Sequence, residues 1–252
     1  MKTLILDLDG TMYRGTQIIE SAKSFVDYCL SHKIPFLFMS NNSMRTPQEN
    51  ADHMLNMGYE GITPDMFYNS AMASAEYVRQ NYEGNKAWYI GQNGLVEALK
   101  ENGFEITEDH PDFLFVGLDK DANYMSYSKA LTCLLDGAKL IGTNKDRILA
   151  KPGGFELGNG SIVAIFEYAV NQKSPDIAKP SPIILELCLK HYRLKKEDVV
   201  LIGDNLETDI LLGVRTGVET IFVETGIHTR KDIERMGIYP NRIVKELTEL
   251  EK

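Results

Sequence analysis

The sequence is short of the residues that mark unusual environments. Its three cysteines, Cys29, Cys133 and Cys188, lie far apart without metal-type spacing. So sparse and odd a set excludes a disulfide framework and suits a reducing compartment, where buried thiols fill cores. No apolar run approaches the ~18 residues a membrane span requires. The five histidines show no ligand spacing and read as surface or helix-end residues. Positive charge is also scarce: 27 Lys and Arg stand against 36 Asp and Glu, a formal net charge of -9. A nucleic-acid polymer needs a basic surface, so it is excluded as a general partner. A small anion is not, because a local site can be positive inside an acidic protein. Met1 runs straight into an apolar strand with no signal-peptide pattern, and a cytoplasmic location is expected.

What is present is an ordinary globular composition, 43% hydrophobic and 25% charged over 252 residues, enough for one large domain or two modest ones. Apolar strands alternate with helix-period segments. Strands are expected at 4–8, 36–39, 67–69, 87–90, 113–117, 139–142, 199–203 and 220–223. Helices are expected at 20–32, 47–57, 70–81 with Ser70 as cap, 95–102, 124–135, 161–170, 182–191 and 229–236, and one between Asp204 and Thr216. This is the pattern of an α/β fold with a parallel sheet. Polar breaks at Glu83-Gly84-Asn85 and at 171–176 divide it. The run between them either continues one sheet or forms an inserted domain. Residues 249–252 are expected to fray.

The chain is organised around Leu4-Ile-Leu-Asp-Leu-Asp-Gly-Thr-Met12. The run is too apolar for a surface strand, yet it holds two carboxylates, and an unpaired buried charge costs several kcal/mol. Asp7 and Asp9, two apart, leave the same side of an extended chain, and Gly10 permits a sharp turn after them. A metal and a phosphoryl group would account for the pair; a solvated turn is the plainer alternative. Three other stretches place polar groups beside apolar strands or ahead of a helix: Ser40-Asn41-Asn42-Ser43, Lys179, and Asp204 with Asp209. Singly, Ser40 could cap a turn, Lys179 could be solvated, and the two aspartates could serve a helix N-terminus. Together they offer a nucleophile, a hydroxyl, a cation and metal-binding carboxylates at strand ends, the groups phosphoryl transfer needs.

Asp7-Leu-Asp9-Gly10-Thr11, Ser40, Lys179 and Gly203-Asp-Asn-Leu-Glu-Thr-Asp209 resemble the four motifs of the haloacid dehalogenase superfamily. The SNNS at 40–43, KPSP at 179–182 and GDNLETD at 203–209 resemble its NagD-like, class IIA phosphatases. The resemblance implies a Rossmann-like parallel-sheet core, residues 1–83 and 176–252, with a smaller inserted α/β cap of the C2 type, residues 84–175. It implies hydrolysis of small phosphomonoesters (nucleoside monophosphates, sugar or polyol phosphates and the like) through an aspartyl-phosphate, with Mg²⁺ as cofactor. Carried over residue by residue, Asp7 is the nucleophile and Asp9 the general acid and base. Asp7, the Asp9 backbone carbonyl and Asp204 hold the metal, with Asp209 and Asn205 behind them. Ser40, Asn41, Asn42 and Lys179 bind the phosphate, the asparagines through backbone amides. The partners implied are a small phosphorylated metabolite, no nucleic-acid polymer, no membrane, and a homodimer through the cap as an admissible assembly.

Other signals are discounted. Asp7-x-Asp9 lacks the spacing of an EF-hand, and Gly153-Gly-Phe-Glu-Leu-Gly158 has no following Lys and is no P-loop. Tyr124 and Tyr127 read as packing residues. Lys145 stands where the family's TNPD has proline, Leu157 precedes GNGS where proline is usual, and Ala178 precedes Lys179 where glycine is common; these departures weaken any transfer of substrate specificity. A phosphomutase is disfavoured because mutase caps usually follow the first motif. The reading from another class is a receiver-type phospho-acceptor. It is opposed by a D-x-D on the first strand and by a length beyond one receiver domain.

Overall fold

Residues 4–6 are apolar without alternation, which suits a strand covered on both faces. In the computed structural model, which describes residues 2–151 and 153–251, this strand, Thr3–Leu6, lies inside a six-stranded sheet. The order in space is Arg242–Val244, Glu219–Val223, Val199–Gly203, Thr3–Leu6, Phe36–Ser40, Phe67–Asn69. Leu6 pairs in parallel with Ile202 on one side and with Phe38 on the other. One step further along lie Asp7, Gly203 and Met39, so register alone carries Asp7, Ser40 and Asp204 to one edge of the sheet. One face of this sheet shares a core of Leu6, Phe38, Ile202 and Val223 with Phe25, Val26 and Cys29 of the helix Glu20–Ser31. Phe222 points the other way and packs with Leu206, Ile210 and Ile233.

The chain divides into two compact units, one of residues 1–40, 47–68 and 179–252, the other of residues 41–46 and 69–178. The second has its own parallel sheet, in the order Glu105–Ile106, Lys86–Ile90, Phe113–Val116, Lys139–Gly142. Its core joins Leu114, Val116 and Leu140 to Cys133 of helix Tyr124–Leu135 and to Ile162, Val163 and Phe166 of helix Asn159–Val170. Residues 41–46 are stitched into this unit. The Asn41 carbonyl accepts from Ser70 Oγ at 2.6 Å and from Asn144 Nδ2 at 2.8 Å. Gly94 N donates to the Met44 carbonyl, and a Cβ on Gly94 would lie 2.3 Å from the Arg45 carbonyl oxygen.

Several expectations need correction. Asn69, not Ser70, caps the helix Ser70–Asn81, its side chain accepting from the N–H groups of Ala71 and Met72. Two short hairpins were not foreseen: Tyr13–Arg14 with Gln17–Ile18, and Ile148–Lys151 with Gly154–Leu157. Residues 249–251 are not frayed: Leu247 is buried, Leu250 packs against the core, and Ser24 Oγ donates to Glu251 Oε1 at 3.0 Å; Lys252 lies outside the described residues. Tyr127 packs edge-on against Phe166, but Tyr124 is exposed. All three cysteines are buried free thiols. Among the described residues no helix is long and apolar enough to cross a membrane.

Candidate active site

Lys179 is the hub of the edge that sheet register assembles. It is buried, and its ammonium has three N–H donors and three acceptors in reach: Asp7 Oδ1 at 2.6 Å, Asp209 Oδ1 at 2.7 Å and the Met39 carbonyl at 2.9 Å. Each acceptor comes from a different part of the first unit: the end of strand Thr3–Leu6, the turn after strand Val199–Gly203, and strand Phe36–Ser40. Burial works against the lysine's charge, and the two carboxylates more than offset it, so its pKa lies above the ordinary lysine value.

Asp204 has different company. It is 3% exposed, yet among the described residues no lysine or arginine pairs with it. Its donors are neutral: Thr11 Oγ1 on Oδ1 at 3.1 Å and Ile227 N on Oδ2 at 2.8 Å. Glycines wall it in. A Cβ on Gly10, whose φ is +90°, would come within 2.4 Å of Asp204 Oδ2, and one on Gly226 within 1.8 Å. A Cβ on Gly203 would likewise sit 2.3 Å from the Asp209 carboxyl carbon. The close approach of backbone to these two carboxylates therefore depends on the absence of side chains.

Oxygens of Asp7, Asp204 and Asp209 lie within 4.8 Å of one another. Burial raises the pKa of all three, and mutual repulsion adds to it for Asp204 and for Asp209, which Lys179 then restrains to about 6. Two buried carboxyl groups and a partly buried one, with a single ammonium, leave negative charge uncompensated, and hard oxygen donors favour a divalent cation. This acidic triad fits a metal ion.

The remaining residues singled out by sequence fall as follows. Asp9 is exposed, on the turn beyond the strand, and its backbone bridges to Tyr13. Ser40 is buried at the end of strand Phe36–Ser40. Asn41 and Asn42 belong to the second unit, where the Asn41 side chain donates to Asp146 at 3.1 Å and Asn42 Oδ1 accepts from Met44 N. Their amide side chains are thus engaged locally. Asn205 caps the turn of π-helix Leu206–Ile210, accepting from Glu207 N, and reaches Asp209 Oδ2 through its own backbone N–H at 3.3 Å.

Sequence reasoning missed residues 225–228, the loop after strand Glu219–Val223. Gly226 and Ile227 hold Asp204 as described; Thr225 Oγ1 donates to the Gly10 carbonyl at 2.8 Å. His228, grouped above with surface histidines, is half-buried, and its Nδ1 accepts from Leu206 N at 3.1 Å in the turn that follows Asp204. An accepting Nδ1 requires the tautomer with the proton on Nε2. Thr11, named above only as part of a motif, also serves Asp204.

Comparison with known proteins agrees with this geometry. The sequence pattern of haloacid dehalogenase-like hydrolases matches residues 4–105, and a second pattern of the same group, HAD-hydrolase-like, matches residues 176–250. An acid sugar phosphatase of Staphylococcus haemolyticus is 36% identical over 256 residues, spanning 100% of this chain and 97% of the relative. Among solved structures, a thermostable NPPase variant from Geobacillus stearothermophilus is 37% identical with a TM-score of 0.87, covering 98% of each chain. NagD from E. coli K-12 is 32% identical with a TM-score of 0.89, covering 99% of this chain and 98% of that one. An α/β core with an inserted cap domain, a strand-end acidic triad and full-length similarity to phosphatases lead to one assignment: the chain belongs to the haloacid dehalogenase superfamily, among its NagD-like phosphatases.

Proposed function

We propose that the protein is a Mg²⁺-dependent phosphatase of small phosphomonoesters, with the phosphoryl group carried transiently on Asp7. The observation that carries this reading is the buried Lys179 ammonium, held between Asp7 and Asp209 at a strand edge. It fixes one oxygen of Asp7 and leaves Oδ2 to attack phosphorus. It also supplies positive charge beside the oxygens of a phosphoryl group bound there, a task Ser40 shares through a hydrogen bond. A Mg²⁺ held by Asp7, the Asp9 carbonyl and Asp204, with Asp209 behind, would offset the charge of carboxylates and phosphoryl oxygens.

Two displacements complete the reaction. Asp7 Oδ2 forms a bond to phosphorus while the ester P–O bond breaks, and the Asp9 carboxyl gives its proton to the leaving alcohol oxygen. The Asp9 carboxylate then takes a proton from water as that water's oxygen bonds to phosphorus and the Asp7–phosphorus bond breaks. Dividing one difficult displacement this way is what a carboxylate nucleophile provides. Asp9 suits its role because it lies exposed, outside the buried carboxyl cluster, and the metal would use only its carbonyl. The name of the staphylococcal relatives points to sugar phosphates as the first substrates to try.

The test is phosphate release from a panel of sugar, polyol and nucleoside monophosphates, combined with acid-quenched protein mass. Wild type should turn over repeatedly, which separates an enzyme from a phospho-acceptor, and should trap one phosphoryl group. Asp7→Asn should lose turnover and adduct together. An adduct on another residue of that variant would remove Asp7 from its role.

A further inference from the structure

The turn that carries Asp9 is tied down by a segment outside the four polar stretches. Thr225 Oγ1 donates to the Gly10 carbonyl at 2.8 Å. The Thr225 carbonyl in turn accepts from Arg14, through Nε at 2.9 Å and through Nη2. Arg14 stands on the small hairpin that follows the turn. Within the turn, Gly10 N donates to the Tyr13 carbonyl at 2.7 Å, and Tyr59 Oη holds the Met12 carbonyl at 2.6 Å. The far end is thus clamped by the core, while Thr225 is the side chain that grips the near end, one residue from Asp9. Gly10 has φ +90°. A glycine peptide is restrained little by sterics, so hydrogen bonds decide its orientation. The Gly10 carbonyl lies in the peptide that joins Gly10 to Thr11, so its release frees ψ of Gly10, one residue from Asp9, and lets the turn that carries Asp9 shift.

We propose that Thr225 is a positioning residue for Asp9, with Arg14 setting Thr225, and that this latch aligns the Asp9 carboxyl with the leaving oxygen. The inference rests on the role given to Asp9 above. Proton transfer requires the acid within hydrogen-bond reach of the leaving atom, and a shift of about 1 Å can cost about 10²-fold in rate. Asp7 and Lys179 take their side-chain bonds elsewhere, and the donors of Asp204, Thr11 Oγ1 and Ile227 N, do not include the Thr225 hydroxyl. Loss of that hydroxyl falls first on proton transfer, and an unchanged Mg²⁺ requirement shows that Asp204 is still held. A latch therefore has a signature that general loosening lacks: dependence on the leaving group.

The experiment compares Thr225→Val, which keeps the shape and removes the hydroxyl, with Thr225→Ser, which keeps the hydroxyl, and with Arg14→Ala. Each is assayed in single turnovers, which read phosphoryl transfer to Asp7 before the water step that both esters share, on an alkyl phosphate, whose leaving oxygen needs a proton, and on p-nitrophenyl phosphate, whose leaving oxygen needs little. For Thr225→Val, the first-turnover rate on the alkyl phosphate should fall about 10- to 100-fold. The ester and Mg²⁺ concentrations for half-maximal rate should hold, and release of nitrophenolate in the first turnover should be nearly spared. Thr225→Ser should recover the alkyl rate, and Arg14→Ala should shift it in the same direction as Thr225→Val. Equal losses of the first-turnover rate on both substrates, no loss, or no recovery by Thr225→Ser would overturn the latch. If Thr225→Val does not fold, Arg14→Ala decides: a change independent of the leaving group overturns it. A wild type that releases phosphate from neither ester would instead refute the proposed function.

Discussion

Replacing Lys179 by methionine keeps a long unbranched side chain and deletes the ammonium. Two buried carboxylates and the Met39 carbonyl then lose a shared donor. Breaking a buried ion pair from one side costs roughly 3–5 kcal/mol, and an unpaired buried carbonyl costs a further ~1–3 kcal/mol. Apolar filling by Met offsets part of this, so roughly 4 kcal/mol is expected near pH 7.5, a large share of the ~5–15 kcal/mol that holds a domain together. The cost depends on pH, and its sign follows from Asp209. Its folded pKa is raised from 3.8 to about 6. A raised carboxyl contributes stability below about pH 4 and loses it as pH climbs through the folded pKa. Without Lys179, whose charge lowers that pKa, the rise is larger. The gap between variant and wild type should be smaller near pH 5, where Asp209 is mostly protonated in both, and should widen above pH 6. Urea unfolding in chelator, followed by far-UV circular dichroism at both pH values, measures it; the only tryptophan, Trp88, lies in the second unit and would report on the wrong region. A variant as stable as wild type near pH 7.5, or a gap that ignores pH, would refute the account of Lys179 as the counter-charge of this cluster.

Three further outcomes are expected. In chelator, phosphate release should stop, and wild-type stability should decline between about pH 4 and about pH 6 as Asp209 ionises, the loss being reversed by Mg²⁺; scanning fluorimetry across pH checks this, and full activity in chelator would end the metal proposal. Gly226→Ala places a Cβ 1.8 Å from Asp204 Oδ2, so the carboxylate must turn off Thr11 and Ile227. Turnover should drop at least ~10-fold and the Mg²⁺ requirement should rise while the circular dichroism spectrum is kept; unchanged Mg²⁺ dependence would mean the loop does not shape the metal site. Asp9→Asn should lower turnover of alkyl phosphates by roughly 10²–10⁴ and let phosphoenzyme accumulate on p-nitrophenyl phosphate. Unchanged turnover would require another acid.

The parallel sheets were legible because their strands, such as Val199–Gly203 and Phe113–Val116, are continuous apolar runs that only a doubly covered strand tolerates. Elements without such a signal were missed. Glu105–Ile106 and Tyr13–Arg14 are two residues long, too short for a period to show. Arg242–Val244 is an edge strand with an exposed first residue. The hairpin Ile148–Leu157 leaves Ile148, Phe155 and Leu157 more than half exposed, so its apolar residues do not report burial in the usual way. Nor did anything local reveal that residues 41–46 group with the second unit. Their bonds run to Ser70, Gly94 and Asn144, tens of residues away, and serve backbone carbonyls that every sequence possesses.

The site divides along the same line. Asp7 stood out because charge at the end of an apolar strand needs a reason, whereas Lys179, Asp204 and Asp209 have plain alternatives when taken singly and stood out through their combination and the family resemblance it carries. The loop that completes the site contributes an N–H from Ile227, a missing side chain at Gly226 and a hydroxyl at Thr225, none of which is out of place in a loop. Its position nevertheless follows from topology. Strand Glu219–Val223 pairs with Val199–Gly203, Phe222 beside Gly203, so the residues after it must emerge next to Asp204. Strand neighbours, then, rather than residue types, identify the glycine and the donors that a buried carboxylate requires. The same argument applied to the other neighbour of strand Thr3–Leu6 leads to Ser40, which the sequence alone could not distinguish from a turn cap.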